Sequence, residues 1–440
     1  LNHYLSLGYV SGGLCLFEGV HKLPPAHCGV WDARAGQLKL WRYWAPPAND
    51  PQPDCDGETL AQEAAQYLEN SVALRLEADV PVGVLLSGGL DSSLVVAAAA
   101  RVSSRPVETF TIALPGSSLD EAHHAQVVAT HFGTRHHVLP LEETGLGQLD
   151  RFMPFVDEPI ADSSILPAWL VFGLARREVT VALGGDGGDE LFGGYGDYTT
   201  SLRDLARTRW MPSATMAAMA HAASQLPAGV PGRNRLASLR GGACEQLIWG
   251  RPYFDWVLRR RILKGDAVAA LGGDVEAPEQ FLLSLFRQGK DPVDRMTRAH
   301  FGAILPDDFL VKVDRASMAC SLEVRAPFLD HRLIEFAFGR VPSRWKVQGG
   351  ESRRLQRLIA AHWLPPELDI NRKQGFSIPI NEWLRVEGER GLMARMEGLP
   401  EQIDMDETRR LVRGHLRGRA NGGRLFALIM LAGAVRNAAP

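Results

Sequence analysis

Four segments carry side chains whose types and spacing could do chemistry. The first, Ser87-Gly-Gly-Leu-Asp-Ser-Ser93, gathers glycines, serines and one aspartate in seven residues. Glycines at positive φ bring backbone N–H groups close to an anion, hydroxyls add donors, and a helix N-terminus adds a positive dipole. That is a phosphate cradle. It has neither the G-x-x-x-x-G-K-[ST] pattern nor G-x-G-x-x-G, so it is neither a Walker loop nor a dinucleotide fingerprint. Asp91 inside an anion nest is repulsive unless a cation such as Mg²⁺ bridges it to phosphate. The bland alternative is a Gly-Gly turn with Ser and Asp caps.

The second segment, Gly184-Gly-Asp-Gly-Gly-Asp-Glu-Leu-Phe-Gly-Gly-Tyr195, offers Asp186, Asp189 and Glu190 as anionic oxygens for a metal. EF-hand spacing is absent. The third, Leu305 to Asp330, embeds Lys312, Asp314, Arg315, Glu323, Arg325 and Asp330 among apolar residues. Such charges must pair with one another or with a ligand, and both readings stay open. The fourth, Asn371-Arg-Lys-Gln-Gly-Phe376, is a basic loop that alone reads as solvated charge.

The elements around these segments alternate. Glu58 to Leu76 has helical periodicity, Val82 to Leu86 is a short β-branched run before the first segment, and an Ala-rich helix begins near Leu94. Strands over 109–114, 137–141 and 179–183 alternate with helices over 121–132 and 165–177, which predicts an α/β fold with a doubly wound parallel sheet. In such a sheet the carboxyl ends of the strands line one crevice, so the first two segments face each other across a ligand. From about 201 to 300 the strands vanish, and a large helical C-terminal half is expected. The first 45 residues read as strand ends and loops, a short β-rich stretch. Four prolines between Ala45 and Pro53 mark an extended, exposed linker. The division is 1–45, a linker at 46–57, and 58–440, the last split into an α/β core at 58–200 and a helical part at 201–440.

The chain has 440 residues with 48 Lys+Arg against 51 Asp+Glu, so no global charge draws it to nucleic acid or to an anionic membrane. Its longest apolar run outside the Ala-rich segments, 11 residues from Leu425 to Val435, is too short to span a bilayer. Five dispersed cysteines without C-x-x-C spacing suggest neither a disulfide framework nor zinc, and a cytoplasmic location is expected. The chain starts at Leu1 without the pattern of a signal peptide, so something upstream is expected to be missing. The dense histidines at 123, 124, 131, 136 and 137 do not have i,i+4 metal spacing. Arg409 to Arg419 lacks interleaved aromatics and reads as an exposed helix face.

Together the four segments resemble the glutamine-dependent asparagine synthetases, members of the N-type ATP pyrophosphatases with an adenine nucleotide α hydrolase-like fold. Asp157-Glu-Pro159 and Asp162-Ser-Ser164 fit, and 1–45, through Leu7-Gly-Tyr-Val10, Lys22-Leu-Pro-Pro25 and Trp41-Arg-Tyr-Trp44, resembles the last part of that family's glutaminase domain. The resemblance implies an ATP-dependent ligase: the aspartate β-carboxylate attacks ATP, pyrophosphate leaves, and ammonia displaces AMP. By similarity Ser87, Gly88, Gly89, Asp91, Ser92 and Ser93 hold pyrophosphate, and Asp91 and Asp189 hold Mg²⁺. Leu86, Ile112, Gly184 and Gly185 surround the nucleotide, Lys373, Asp186 and Glu323 are catalytic, and Arg325 meets the acceptor carboxylate.

Two departures stand out: Gly184 replaces an expected Ser, and Ser352-Arg-Arg354 an expected Gly-Lys pair. No N-terminal cysteine nucleophile is present, so glutamine hydrolysis is not expected, and a fragment or one half of a split enzyme is the simplest account. Other acceptors (a uronic-acid sugar, a peptide), a β-lactam-forming reaction, a non-catalytic binding role, a separate glutaminase subunit or domain as partner, and a homodimer stay open.

Overall fold

The computed structural model describes all residues except 51–54, 116–119, 141–144, 250–251, 373–377 and 439–440, and of 242–243 and 248–249 the backbone alone. Its centre is a five-stranded parallel sheet in the order β5-β4-β3-β6-β7. The strands are β3 (Val82–Leu85), β4 (Glu108–Ala113), β5 (Arg135–Pro140), β6 (Val181–Leu183) and β7 (Glu323–Arg325). The chain winds outward from β3 to β5, then returns to add β6 on the other side of β3. The switch point therefore lies between β3 and β6, where a crevice opens at their carboxyl ends.

Alternation of side chains divides the sheet between two cores. Val84 and Leu183 enter one core with Leu60 and Leu68 of α2 (Gly57–Leu76), Leu94 and Val95 of α3 (Leu90–Val102), and Val128 of α4 (Ala122–Phe132). Phe110, Ile112 and Ala182 enter the other core, against Ile165, Val171 and Phe172 of the helix Ile165–Ala175. Each large apolar side chain buried this way contributes about 1.5–3 kcal/mol. The doubly wound arrangement follows from strands that are apolar on both faces.

The N-terminal region departs from its reading. Asn2–Leu7 form a helix, α1, where strand ends and loops were expected. Tyr4 and Leu5 are fully buried in the core that contains Leu425 to Leu431, and Tyr4 Oη donates to the Ala427 carbonyl at 2.7 Å. Only later does the β-rich part begin, as a hairpin of β1 (His27–Asp32) and β2 (Gln37–Arg42). Trp31, Leu38, Leu40, Trp41 and Tyr43 on or beside this hairpin are exposed. Asn49, within the stretch read as an exposed linker, is instead buried and donates to the Phe338 carbonyl at 3.1 Å.

β7 arises from the half read as helical. Three residues, Glu-Val-Arg, are too few and too polar to signal a strand, and pairing with β6 fixes their conformation. Among the described residues no helix is long and apolar enough to cross a membrane.

Candidate active site

Leu86 to Gly89 connect β3 to α3, and Gly184 to Gly187 connect β6 to the short helix Gly188–Phe192. Both loops line one cavity of about 480 Å³ at the switch point. The first loop closes on itself. Gly89 N–H donates to Ser87 Oγ (3.2 Å), Ser87 Oγ pairs with Ser92 Oγ (3.0 Å), and Ser92 Oγ donates to the Gly89 carbonyl (3.1 Å). A hydroxyl has one hydrogen, so Ser87 is the donor to Ser92. The serine pair thus holds the loop's shape, and Gly89 gives α3 no side-chain cap. First-turn amides left uncapped are the donors that anions take.

Two glycines are required. Gly88 has φ +78°, and a Cβ there would lie 2.6 Å from the backbone nitrogen of Ala125 in α4. A Cβ on Gly188 would overlap the Asp91 carboxylate, so the two loops meet closely because this position has no side chain. Asp91 Oδ1 accepts from Gln356 Nε2 at 2.5 Å.

Leu86, Ser87, Gly89, Asp91, Ser92, Ile112, Gly184, Gly185, Asp186 and Asp189 all line the cavity. Gly88 and Ser93 do not: Gly88 turns against α4, and Ser93 Oγ is buried with no hydrogen-bond partner among the described residues. Lys373 lies outside the described residues.

Glu323 and Arg325 are not brought to the cavity. Period-two alternation puts both on the same side of β7, and Glu323 Oε1 accepts from Arg325 Nε at 2.6 Å. The Arg325 guanidinium also donates to the carbonyls of Arg75 and Glu77, at the C-terminus of α2. A cation bonding terminal carbonyls is a helix cap, so these charges pair with each other and with the fold. Asp330 caps the helix His331–Gly339 and pairs with Arg332 and Arg75.

Of the charges embedded in the third segment, Lys312 is the one that lines the cavity. It extends from the helix Leu310–Met318 to Asp162 Oδ2 (2.7 Å) and Ser164 Oγ (2.8 Å). Burial opposes ionisation of Asp162, but the Lys312 ammonium and the Ser164 amide hold its carboxyl below the ordinary value. Asp186 is pushed up by burial, with Lys312 opposing. Glu190 is pushed up to about 8 by burial and by Asp189, and its Oε1 accepts from the Tyr195 hydroxyl.

Arg353 and Arg372 also line the cavity. Arg353 is buried in a left-handed backbone conformation, φ +55°, ahead of the helix Arg354–Trp363. It stands within the departure noted at Ser352-Arg-Arg354 and brings a guanidinium there. No periodic signal announces a residue held by a single turn; the Gly349-Gly350 pair just before it was the available clue.

The carboxylates of Asp91, Asp186 and Asp189 line the cavity. Among the described residues no three such side chains are grouped to hold a metal by themselves. Mg²⁺ would take one or two of these carboxylates and complete its shell from phosphate and water.

The asparagine synthase family model matches residues 63–434, which include both loops, Lys312 and Arg353. The chain belongs to the asparagine synthase family. A protein of Mycobacterium bovis named "Putative asparagine synthetase (glutamine-hydrolyzing)" is 34% identical over 392 residues, 88% of this chain and 58% of its own length. "Asparagine synthetase (glutamine-hydrolyzing) 1" of Bacillus subtilis is 29% identical over 391 residues, 88% of this chain and 60% of its own length. "Asparagine synthetase (glutamine-hydrolyzing) 2" of Arabidopsis thaliana is 34% identical over 192 residues, 40% of this chain and 32% of its own length. The chain thus spans less than two thirds of the length of these curated relatives.

Proposed function

We propose that the chain is an ATP-dependent carbon–nitrogen ligase that forms asparagine. The observation that carries this reading is the meeting of the two loops, an uncapped α3 N-terminus on one side and the Asp186 and Asp189 carboxylates on the other, in one cavity at the switch point. ATP lies with its phosphates on the amides after β3 and its adenosine near Leu86 and Ile112. A carboxylate oxygen of aspartate attacks the α-phosphorus; the P–O bond to the β-phosphate breaks, and pyrophosphate departs with the electron pair. Ammonia then attacks the acyl carbon, the bond to AMP breaks, and the nitrogen loses its proton to solvent.

The protein's part is positioning and charge. Amides of Leu90 to Ser92 hold the phosphates, and Arg353, Arg372 and Lys373 offset charge that develops as pyrophosphate separates. The Lys312–Asp162 pair fixes the wall beside Asp186. Asp91 and Asp189 would hold Mg²⁺, which screens the phosphates when bound. Burial excludes water from the acyl-adenylate.

The test is pyrophosphate release by the purified chain with ATP, Mg²⁺ and ammonium, with and without aspartate, beside a Lys373→Ala variant. Aspartate-dependent release, lost in the variant, with asparagine as product supports the reading. Release with a different carboxylate only replaces the acceptor, and no release with any carboxylate rejects it.

A further inference from the structure

Residues 8–22 lie ahead of the stretch matched by the asparagine synthase family model, yet they bind two segments that reach the cavity. The first segment carries Asp162. Residues 156–164 run between the turn Met153–Phe155 and the helix Ile165–Ala175 with neither helix nor strand of their own. Ala161 N–H donates to the Gly8 carbonyl (2.8 Å), Leu16 N–H donates to Glu158 Oε1 (3.0 Å), and Lys22 Nζ pairs with Glu158 Oε2 (2.5 Å). Tyr253 Oη donates to the Ala161 carbonyl, and Arg315 pairs with Asp157. Backbone without a ladder is placed by such bonds.

The second segment carries Lys312. His300–Phe309 is π-helical, contains Pro306, and runs directly into the helix Leu310–Met318. π-Helical turns are rare and gather at functional sites. Asp307, 7% exposed, accepts from Gly12 N–H through Oδ2 at 2.7 Å, five residues before Lys312.

Residues 8–22 also close on themselves. Lys22 N–H donates to the Gly13 carbonyl and Lys22 Nζ to the Val10 carbonyl, both at 3.0 Å, so one ammonium joins the turn that holds Asp307 to the carboxylate of Glu158. Gly8 at φ +88° has no room for a side chain: a Cβ would lie 2.5 Å from the Tyr253 ring. The two held segments meet in the Lys312–Asp162 pair on the cavity wall. An ammonium has three N–H groups; two of Lys312 go to Asp162 and Ser164, and one remains for a carboxylate in the cavity.

We propose that residues 8–22 are a strap that sets the seat of the carboxylate substrate, with Glu158 and Asp307 as positioning residues acting through Asp162 and Lys312. The inference rests on the synthetase reading and adds to its acceptor side. The bonds among Ser87, Gly89 and Ser92 close within the phosphate loop and do not involve the strap. Loosening the strap therefore weakens the carboxylate substrate and spares ATP.

The test uses the full chain with Lys22→Met, Asp307→Asn and the conservative Lys22→Arg. KM values for ATP and for the carboxylate that supports turnover are read from pyrophosphate release with Mg²⁺ and ammonium. The expected result is a carboxylate KM about tenfold higher in Lys22→Met and in Asp307→Asn, with the ATP KM within about twofold of the parent and Lys22→Arg close to the parent. A carboxylate KM unchanged in both variants overturns the strap. So does a parallel rise of both KM values, the mark of a fold loosened throughout.

Amide hydrogen exchange, followed by mass spectrometry on peptides covering 157–164 and 305–315, reads the strap without turnover, with β4 as the control. Lys22→Met should speed exchange in 305–315 and Asp307→Asn in 157–164, each the segment its own side chain does not touch. If no carboxylate yields pyrophosphate, the synthetase reading fails and exchange alone decides: crossed acceleration with β4 unchanged supports the strap, and acceleration confined to the touched segment, or none, overturns it.

Discussion

Gln356 donates its side-chain amide to Asp91 across 2.5 Å, joining a fully buried residue of the helix Arg354–Trp363 to the loop that follows β3. The carboxylate expected to face Mg²⁺ is therefore oriented from behind. Groups that orient a metal ligand typically carry about 10–100-fold in metal affinity. Gln356→Leu is expected to raise the Mg²⁺ concentration needed for half-maximal pyrophosphate release by about tenfold, with the fold retained by circular dichroism. An unchanged Mg²⁺ requirement would remove Asp91 from the metal site.

Gly188→Ala is expected to disable the same site by another route. Its methyl group collides with Asp91, and separating the two loops disturbs the positioning on which catalysis depends. A fall in pyrophosphate release of about 100-fold, with urea unfolding changed by little, is the predicted signature. A stable, fully active variant would show that the loops need not touch.

Lys312→Met leaves Asp162 and Asp308 without their common counter-charge. Breaking a buried pair costs about 3–5 kcal/mol; the pair here keeps some solvent contact, so a loss of about 2–3 kcal/mol is expected in urea unfolding. Adding Asp162→Asn should recover part of that loss. Additive effects of the two substitutions would deny the coupling.

Lys346 gives a pH signature. It is fully buried, its Nζ has no hydrogen-bond partner among the described residues, and it sits 4.6 Å over the Phe338 ring. Burial lowers its pKa from 10.5 to about 8. Between those values the unfolded chain binds more protons than the folded one, so stability rises with pH through that window. Lys346→Met should be more stable than the parent at pH 7, and the advantage should shrink as pH climbs from 8 towards 10.5. A difference constant over that range, measured by urea unfolding, contradicts the buried ammonium.

The hairpin of β1 and β2 is exposed. Trp31 and Leu38 are 61% and 57% exposed, so Trp31→Lys with Leu38→Lys should shift stability by no more than about 0.5 kcal/mol. Self-association in light scattering should fall, because contiguous apolar surface promotes it. A large loss of stability would mean that the hairpin is covered in solution by the rest of the chain.

What the sequence reveals depends on how locally each feature is encoded. Val82 to Leu86 and Thr109 to Leu114 are apolar runs bounded by glycine and proline, and β3 and β4 lie there. Once the alternation names a doubly wound sheet, the crevice follows and with it the meeting of the two glycine loops. Glu323 and Arg325 show the opposite case. Their charges looked expensive unless a ligand paid for them, yet they satisfy each other and the end of α2, a contact between residues some 250 apart. Arg353 was equally hidden, since one left-handed residue sets its direction. The surface reading of Arg409 to Arg419 rested on local pattern, and Arg409, Arg410 and Arg413 pair with Asp406, Glu407 and Glu389 on the helix surface.

The bond from Tyr4 to the Ala427 carbonyl has a consequence for synthesis. Its partners are 423 residues apart, and at about 5–20 residues per second Tyr4 is made roughly 20–85 s before its acceptor exists. Through that interval α1 has no Leu425–Leu431 to pack on. A nascent chain halted before Gly422 should therefore show α1 open to protease while the β3–β4 unit is already protected.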